Sequence, residues 1–185
     1  MKGKSKKTIK EKGIIDWKWI LTISVTSFII SLLFSTFGEV VIPKVHLVFS
    51  ILILIAFILI GIGFDILGIA VTVADIKTFN SMAAKKVRGA SLAVNLIKNS
   101  DKVASFFNDV IGDICGIVSG STGVSIALIL NSNFHFNLLL TTLLVTAIVS
   151  MLTIGGKAIG KSYAINKCND ILYRFVKIVS IFYRK

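Results

Sequence analysis

The feature that most constrains this chain is a set of four long apolar stretches, roughly Trp17 to Phe37, His46 to about Thr72, Val103 to Leu130 and Leu138 to Ile154. Each approaches or exceeds the ~20 residues a helix needs to cross about 30 Å of hydrocarbon, the fourth being the shortest. In a chain of 185 residues they leave no length for a soluble catalytic domain. A composition of 55% hydrophobic against 16% charged residues, with mean hydropathy +0.86, is likewise too apolar for a water-facing globule. The expected fold is an all-α integral membrane protein: four transmembrane helices with a cytoplasmic juxtamembrane helix and a C-terminal interfacial helix.

Lysine and arginine give the orientation. Of 21, seven belong to the start of the chain up to Lys18, one lies between the first and second spans, six between the second and third, none between the third and fourth, and seven after the fourth. This alternation follows the positive-inside rule and predicts a multi-pass protein of the cell (inner) membrane with both termini and the middle loop cytoplasmic. The net charge of +12 is then a topological signal, reinforced by attraction to the lipid bilayer's anionic headgroups, and no nucleic-acid partner is expected. The first span follows a basic region as a signal peptide would, but it outruns the usual apolar length and no small-x-small cleavage site follows, so an uncleaved helix is expected. Cys115 and Cys168 are too few and too differently placed for a disulfide framework.

Between the second and third spans, Met82, Ala83, Val87, Ala90, Val94 and Ile97 recur at helical spacing, with Lys85, Lys86, Arg88 and Lys98 mostly on other faces. This predicts a juxtamembrane helix over Phe79 to Lys102, lying in the interface. From Asn169 on, Ile171, Leu172, Phe175, Val176, Ile178, Val179 and Phe182 alternate with Arg174, Lys177 and Arg184 in the same manner. A fifth span there would bury Arg174 and Lys177, so an interfacial helix is expected.

One motif is refused. Gly155-Gly156-Lys157-Ala158-Ile159-Gly160-Lys161-Ser162 satisfies the phosphate-loop pattern, but such a loop works by capping a helix that emerges from a parallel sheet. Only 23 residues follow Ser162, too few for that sheet, so no nucleotide partner is expected and the segment reads as a Gly-rich cytoplasmic exit from the fourth helix.

The acids carry the functional expectation. Glu11 and Asp16 precede the first span, Glu39 falls outside, Asp75 and Asp101 lie at cytoplasmic ends and Asp170 in the tail, leaving Asp65, Asp109 and Asp113 within spanning helices. A carboxylate at membrane depth costs roughly 2.5–3.5 kcal/mol at the centre of a span, so it normally faces a polar interior and has a partner. Asp65 follows the apolar run Leu47 to Phe64 and is flanked by Gly61, Gly63 and Gly68, while Asp109 and Asp113, at i and i+4, share a helical face with Asn108 beside them. Hard oxygen ligands suit Mg²⁺ or Na⁺, and no Cys/His set is present for a soft metal, His46 and His135 falling near external loops. The alternative is that these acids pair with Lys102, Lys157 or Lys161. Gly112, Gly116 and Gly120 form a small-residue ridge that would let helices approach closely.

From about Ser50 to Arg184 the chain resembles the transmembrane domain of the CNNM/CorC magnesium/cobalt transport family. The likeness rests on Phe64-Asp65 through Ala70 and Thr72, Ser81-Met82-Ala83, Lys86-Val87-Arg88-Gly89-Ala90, Leu96-Ile97 with Asp101-Lys102-Val103, and Gly156-Lys157-Ala158-Ile159-Gly160-Lys161, which resembles the family's G-E-x-x-P-K. The resemblance implies three spans with a juxtamembrane helix between the first two, a cation held by polar side chains of those spans, and a homodimer. The chain departs from the pattern in placing Asp65 at a family serine position and Lys157 at the family glutamate, with Asn108 or Asp109 nearest the family asparagine. It also adds an N-terminal helix and lacks the nucleotide-sensing modules.

The expected organisation is a basic cytoplasmic segment over 1–16, an extra N-terminal transmembrane helix with its external loop over 17–45, a CNNM/CorC-like core over 46–162 and a basic amphipathic helix over 163–185. The expected function is a membrane cation transporter for Mg²⁺ or a similar divalent ion, with Na⁺ as a coupling ion. It would work by alternating access around a metal site of Asp65, Asn108, Asp109 and Asp113, with no catalytic or cofactor-binding residue. The rival is a non-transporting membrane scaffold or regulatory subunit in which Lys157 occupies the ion position. The place of Lys157, in the pocket or outside it, separates the two.

Overall fold

The structure, a computed structural model, describes residues 17–42, 45–134 and 137–182. The basic segment 1–16, Lys44, His135 and Arg184 lie outside these, as does the side chain of Glu39. The described residues are helical and include no strand. Four helices are long and apolar enough to cross a membrane. They are α1 (Trp17–Val41), α2 (Leu47–Val73), a third running Ser100–Phe134, and α7 (Leu138–Asn166). The third is composite: α5 (Ser100–Ala104), a π-helical segment (Ser105–Gly112) and α6 (Asp113–Phe134).

These helices outlast the apolar stretches that announce them, because a helix does not end where its residues turn polar. It ends where a cap or a breaker stops it. Asn137 supplies such a cap to α7, its Oδ1 accepting the N–H groups of Leu139 and Leu140 at 3.1 and 3.3 Å. At the other end no residue between Ile154 and Asn166 breaks the helix, so α7 carries Gly155 to Ser162 in its interior. The expected Gly-rich exit is therefore continuous helix.

α2 is central and packs against α6, α7 and the π-helical segment. Leu54 and Ile58 of α2 meet Ile126 of α6 and Val149 of α7 in one core. A second core joins Val110, Ile114 and Val118 to Ile23 and Ile30 of α1 and to Phe57 of α2. α1 is peripheral, since none of its apolar window is buried, and Leu33 on α1 and Leu144 and Met151 on α7 are largely exposed. Such surfaces match lipid, where the backbone must be satisfied within each segment. The hydroxyls comply as well: those of Thr22, Ser27, Ser119, Thr146 and Thr153 each donate to the carbonyl four residues earlier in their own helix.

At the end of the bundle where α2 and α7 terminate, three short amphipathic helices form a layer: α3 (Ile76–Ala84), α4 (Ala90–Lys98) and α8 (Cys168–Phe182). Asp75 starts α3 as its N-cap, its carboxylate accepting from the N–H of Lys77 at 2.9 Å and from the Thr78 hydroxyl at 2.8 Å. Phe79, Ala93, Leu172 and Val176 close a core against Val71 and Ala74. The single helix expected over Phe79 to Lys102 is two. α3 closes through N–H bonds from Val87 to Met82 and from Lys86 to Ala83, with Lys86 in the left-handed region at φ 54°. Gly89, at φ 82°, then opens α4. A Cβ on Gly89 would lie 3.0 Å from the Val176 carbonyl oxygen, so glycine is what lets α4 begin against α8. Both halves keep their apolar sides on one core, which is why helical periodicity runs through the break.

Candidate functional site

The site forms where α2, the π-helical segment and α7 meet. At Gly61 of α2 a Cβ would lie 3.0 Å from Cys115 Cβ and 3.5 Å from the Gly112 carbonyl oxygen, so the two helices touch almost backbone to backbone. Gly112 receives Asp65, whose Oδ1 lies where a Gly112 Cβ would clash, at 2.5 Å. One turn along, the roles reverse: Gly68 of α2 receives the side chain of Asn108, whose Oδ1 would collide with a Cβ there. Each helix thus seats a polar side chain on the other's glycine. The Asn108 Oδ1 is buried and has no hydrogen-bond partner among the described residues.

Lys157 completes the arrangement from α7. Its Nζ lies 2.9 Å from Asp65 Oδ2 and donates to Asp113 Oδ1 at 3.5 Å. The Asp65 and Lys157 side chains are 13% and 27% exposed, whereas that of Asp113 is 67% exposed. The Asp65 contact is therefore the electrostatically costly one to break, and the Asp113 contact is weakened by its surroundings. What brings Lys157 so close is the pair of glycines around it. A Cβ on Gly156 would run into the end of the Ile62 side chain, and one on Gly160 would lie 2.9 Å from Ile66, so the two glycines let α7 lie directly on these side chains of α2. The residues that mimic a phosphate loop are a helix-packing surface, with their amides committed to intrahelical bonds.

Asp109 does not join this cluster. It lines a groove of about 410 Å³ between α1 and the third helix, with Trp19, Ser24, Ser27 and Ser105. The expectation that Asp109 and Asp113 share a face rests on α-helical winding. The π-helical segment winds less per residue and shifts the angle between them, and Asp109 lines the groove beside α1. The small-residue ridge is corrected as well: Gly112 is used, but Gly116 and Gly120 have nothing within 4 Å of a would-be Cβ. Close approach to α7 falls instead to Gly123, where a Cβ would lie 3.2 Å from Val149 Cγ2.

Of the four residues expected to bind metal, Asp65 and Asp113 share the Lys157 ammonium, Asn108 sits one turn from Asp65, and Asp109 faces elsewhere. Among the described residues no three of His, Cys, Asp and Glu form a metal-holding group. Of the three lysines weighed as partners, Lys157 reaches Asp65 and Asp113; the Lys102 ammonium stands 4.9 Å from the Trp19 ring centroid. Of the two places open to Lys157, beside the acids or away from them, the structure has it beside Asp65 and Asp113. What the sequence did not reveal is the reciprocal seating of Asp65 on Gly112 and Asn108 on Gly68. The signal was present as a polar residue one turn before a glycine on each of two helices. Comparison with protein-family models, curated proteins and solved structures found no match to this chain.

Proposed function

We propose that this chain is a multi-pass membrane protein built on a cation-transporter-like helical core in which Lys157 takes the place of the cation, so that it serves as a non-transporting scaffold or regulatory subunit. The observation that carries this reading is the Lys157 ammonium 2.9 Å from the Asp65 carboxylate, at a position the CNNM/CorC resemblance assigns to an acid. The alternating lysine and arginine count supports a cytoplasmic side for both termini and the α3–α4–α8 layer. The charge balance also supports it: an ammonium within reach of two carboxylates leaves one negative charge, and that charge is carried by the more exposed Asp113.

A second reading, Mg²⁺ or a similar divalent ion moved by a homodimer with Na⁺ as coupling ion, draws on two other observations. Asn108 Oδ1, seated on Gly68 one turn along α2 from Asp65, is buried with no hydrogen-bond partner among the described residues, and Asp113 is open enough to let an incoming Mg²⁺ keep part of its hydration shell. In that reading a cation displaces Lys157 during each cycle. Flux into proteoliposomes loaded with a Mg²⁺ indicator separates the two. Wild-type flux no faster than empty liposomes, with Lys157→Glu gaining a Mg²⁺-dependent rise in melting temperature, is the result expected here. Wild-type flux that disappears in Asp65→Asn would establish transport and overturn the scaffold.

A further inference from the structure

The α3–α4–α8 layer spends its inner side on the core of Phe79, Ala93, Leu172 and Val176. On its outer side Lys85, Lys86, Lys98, Arg174 and Lys177 are exposed. Two contacts bring the α3–α4 turn and the end of α8 together: Arg88 Nη2 donates to the Ser180 carbonyl at 3.2 Å, and Gly89 abuts the Val176 carbonyl. The turn that carries Lys85 and Lys86 therefore lies against the stretch of α8 that carries Lys177. Apolar side chains stand beside these cations, for Ile178 and Ile181 are 58% and 56% exposed, while Leu172 and Val176 of the same helix are fully buried. A helix with one apolar side in a core and a second apolar strip among cations fits a boundary between headgroups and acyl chains. A nucleic acid or an acidic protein would engage the lysines and leave the isoleucines uncovered.

Lys86 gives a separate indication. It closes α3 in the left-handed region, where glycine is the unstrained choice and a side chain carries a penalty. The chain holds a cation at this surface against its local backbone preference.

We infer that the outer face of this layer binds anionic lipid headgroups, with Lys85, Lys86 and Lys177 meeting the phosphates and Ile178 and Ile181 entering the acyl region. The inference rests on the membrane placement proposed above and is independent of the role of Lys157. The test uses the full chain in dodecylmaltoside, melted with added phosphatidylglycerol or phosphatidylcholine. Phosphatidylglycerol should raise the melting temperature, phosphatidylcholine should not, and high salt should weaken the difference. Replacing Lys85, Lys86 and Lys177 together by Gln should raise the half-effective phosphatidylglycerol concentration by about fivefold per lysine, on the order of 100-fold in all. Lys86→Gly should melt higher without lipid yet respond less to phosphatidylglycerol, a pair of opposite changes that a purely structural lysine would not give. Equal response to both lipids, or an undiminished response in the triple variant, would overturn the inference alone. So would an Ile178→Ser/Ile181→Ser variant that responds like wild type while a short RNA stabilises equally well. Release of the chain from membranes by alkaline carbonate would overturn it together with the membrane placement.

Discussion

Replacing Lys157 by Met removes the ammonium and leaves Asp65, 13% exposed, against Gly112 with no counter-charge at hydrogen-bond distance among the described residues. Stripping one partner from a buried ion pair costs about 3–5 kcal/mol when the other must stay charged. The 27% exposure of Lys157 means that the pair is incompletely desolvated, which places the expected loss at about 2–4 kcal/mol. For a chain of this length that is a fall of roughly 5–15 °C in melting temperature. Asp65→Asn should cost less than Lys157→Met, because Asp113 remains 3.5 Å from the ammonium. The double variant should be more stable than the sum of the two losses by roughly 1–3 kcal/mol. Cys115, 6% exposed, serves as the reporter: in a Cys168→Ser background a thiol-reactive dye follows its unmasking on heating in detergent. A Lys157→Met variant melting within a degree of wild type at neutral pH, or strict additivity in the double variant, would refute the claim that this pair holds α7 to α2.

The glycine contacts make two further predictions. Gly68→Ala should destabilise by about 1–3 kcal/mol, because its Cβ meets the Asn108 side chain, and Asn108→Ala in the same chain should recover most of the loss; detergent melting of the three variants checks this. Gly116→Ala and Gly120→Ala, which meet nothing within 4 Å, should be neutral or stabilising by up to about 1 kcal/mol through helix propensity, whereas Gly112→Ala should lower the melting temperature by displacing Asp65. At Asp75 the N–H of Lys77, and next the Thr78 hydroxyl, hold the carboxyl below the usual carboxylate range. Its folded pKa therefore lies under its unfolded one, so its stabilisation is complete above the unfolded value of about 3.9 and fades as pH falls through the lowered folded value. The melting difference between wild type and Asp75→Ala should thus be largest near neutrality and close toward pH 3.

Much of the fold was legible because lipid and water sort residues so sharply. The four spans and the amphipathic segments follow from hydropathy and from positions such as Phe79, Ala93 and Leu172, which recur on one face whatever the chain does between them. The extension of α7 beyond Ile154 was not legible, because apolarity reports the environment and not the hydrogen bonding that continues a helix to Asn166. Asp65 stood out as a charge following an apolar run. Its seat on Gly112 depends on the relative register of two helices, which no single-helix period encodes. The sequence narrowed the Lys157 question to two positions, and only the approach of α7 along Gly156 and Gly160 decides between them. The π winding over Ser105–Gly112 was not legible, because spacing arguments assume one winding throughout. The break at Lys86 was hidden because a left-handed cap normally announces itself with glycine.

That change of winding gives the third helix an unusual tolerance of length. An α-helix that gains or loses one residue rotates everything beyond the change by about 100°, tearing each later side chain from its neighbour. A π-helical stretch already holds more chain per turn than its surroundings, so a residue lost between Ser105 and Gly112 can be absorbed by a return to α winding, with both flanks keeping their phase. The helix therefore has one place where its chain length can change without scrambling the contacts of Ile114, Val118 and Ile126 further along. That place carries Asn108 and Asp109. Side chains there can be re-aimed, toward α2 or toward the groove beside α1, by deletion as well as by substitution, while the rest of the span stays in register.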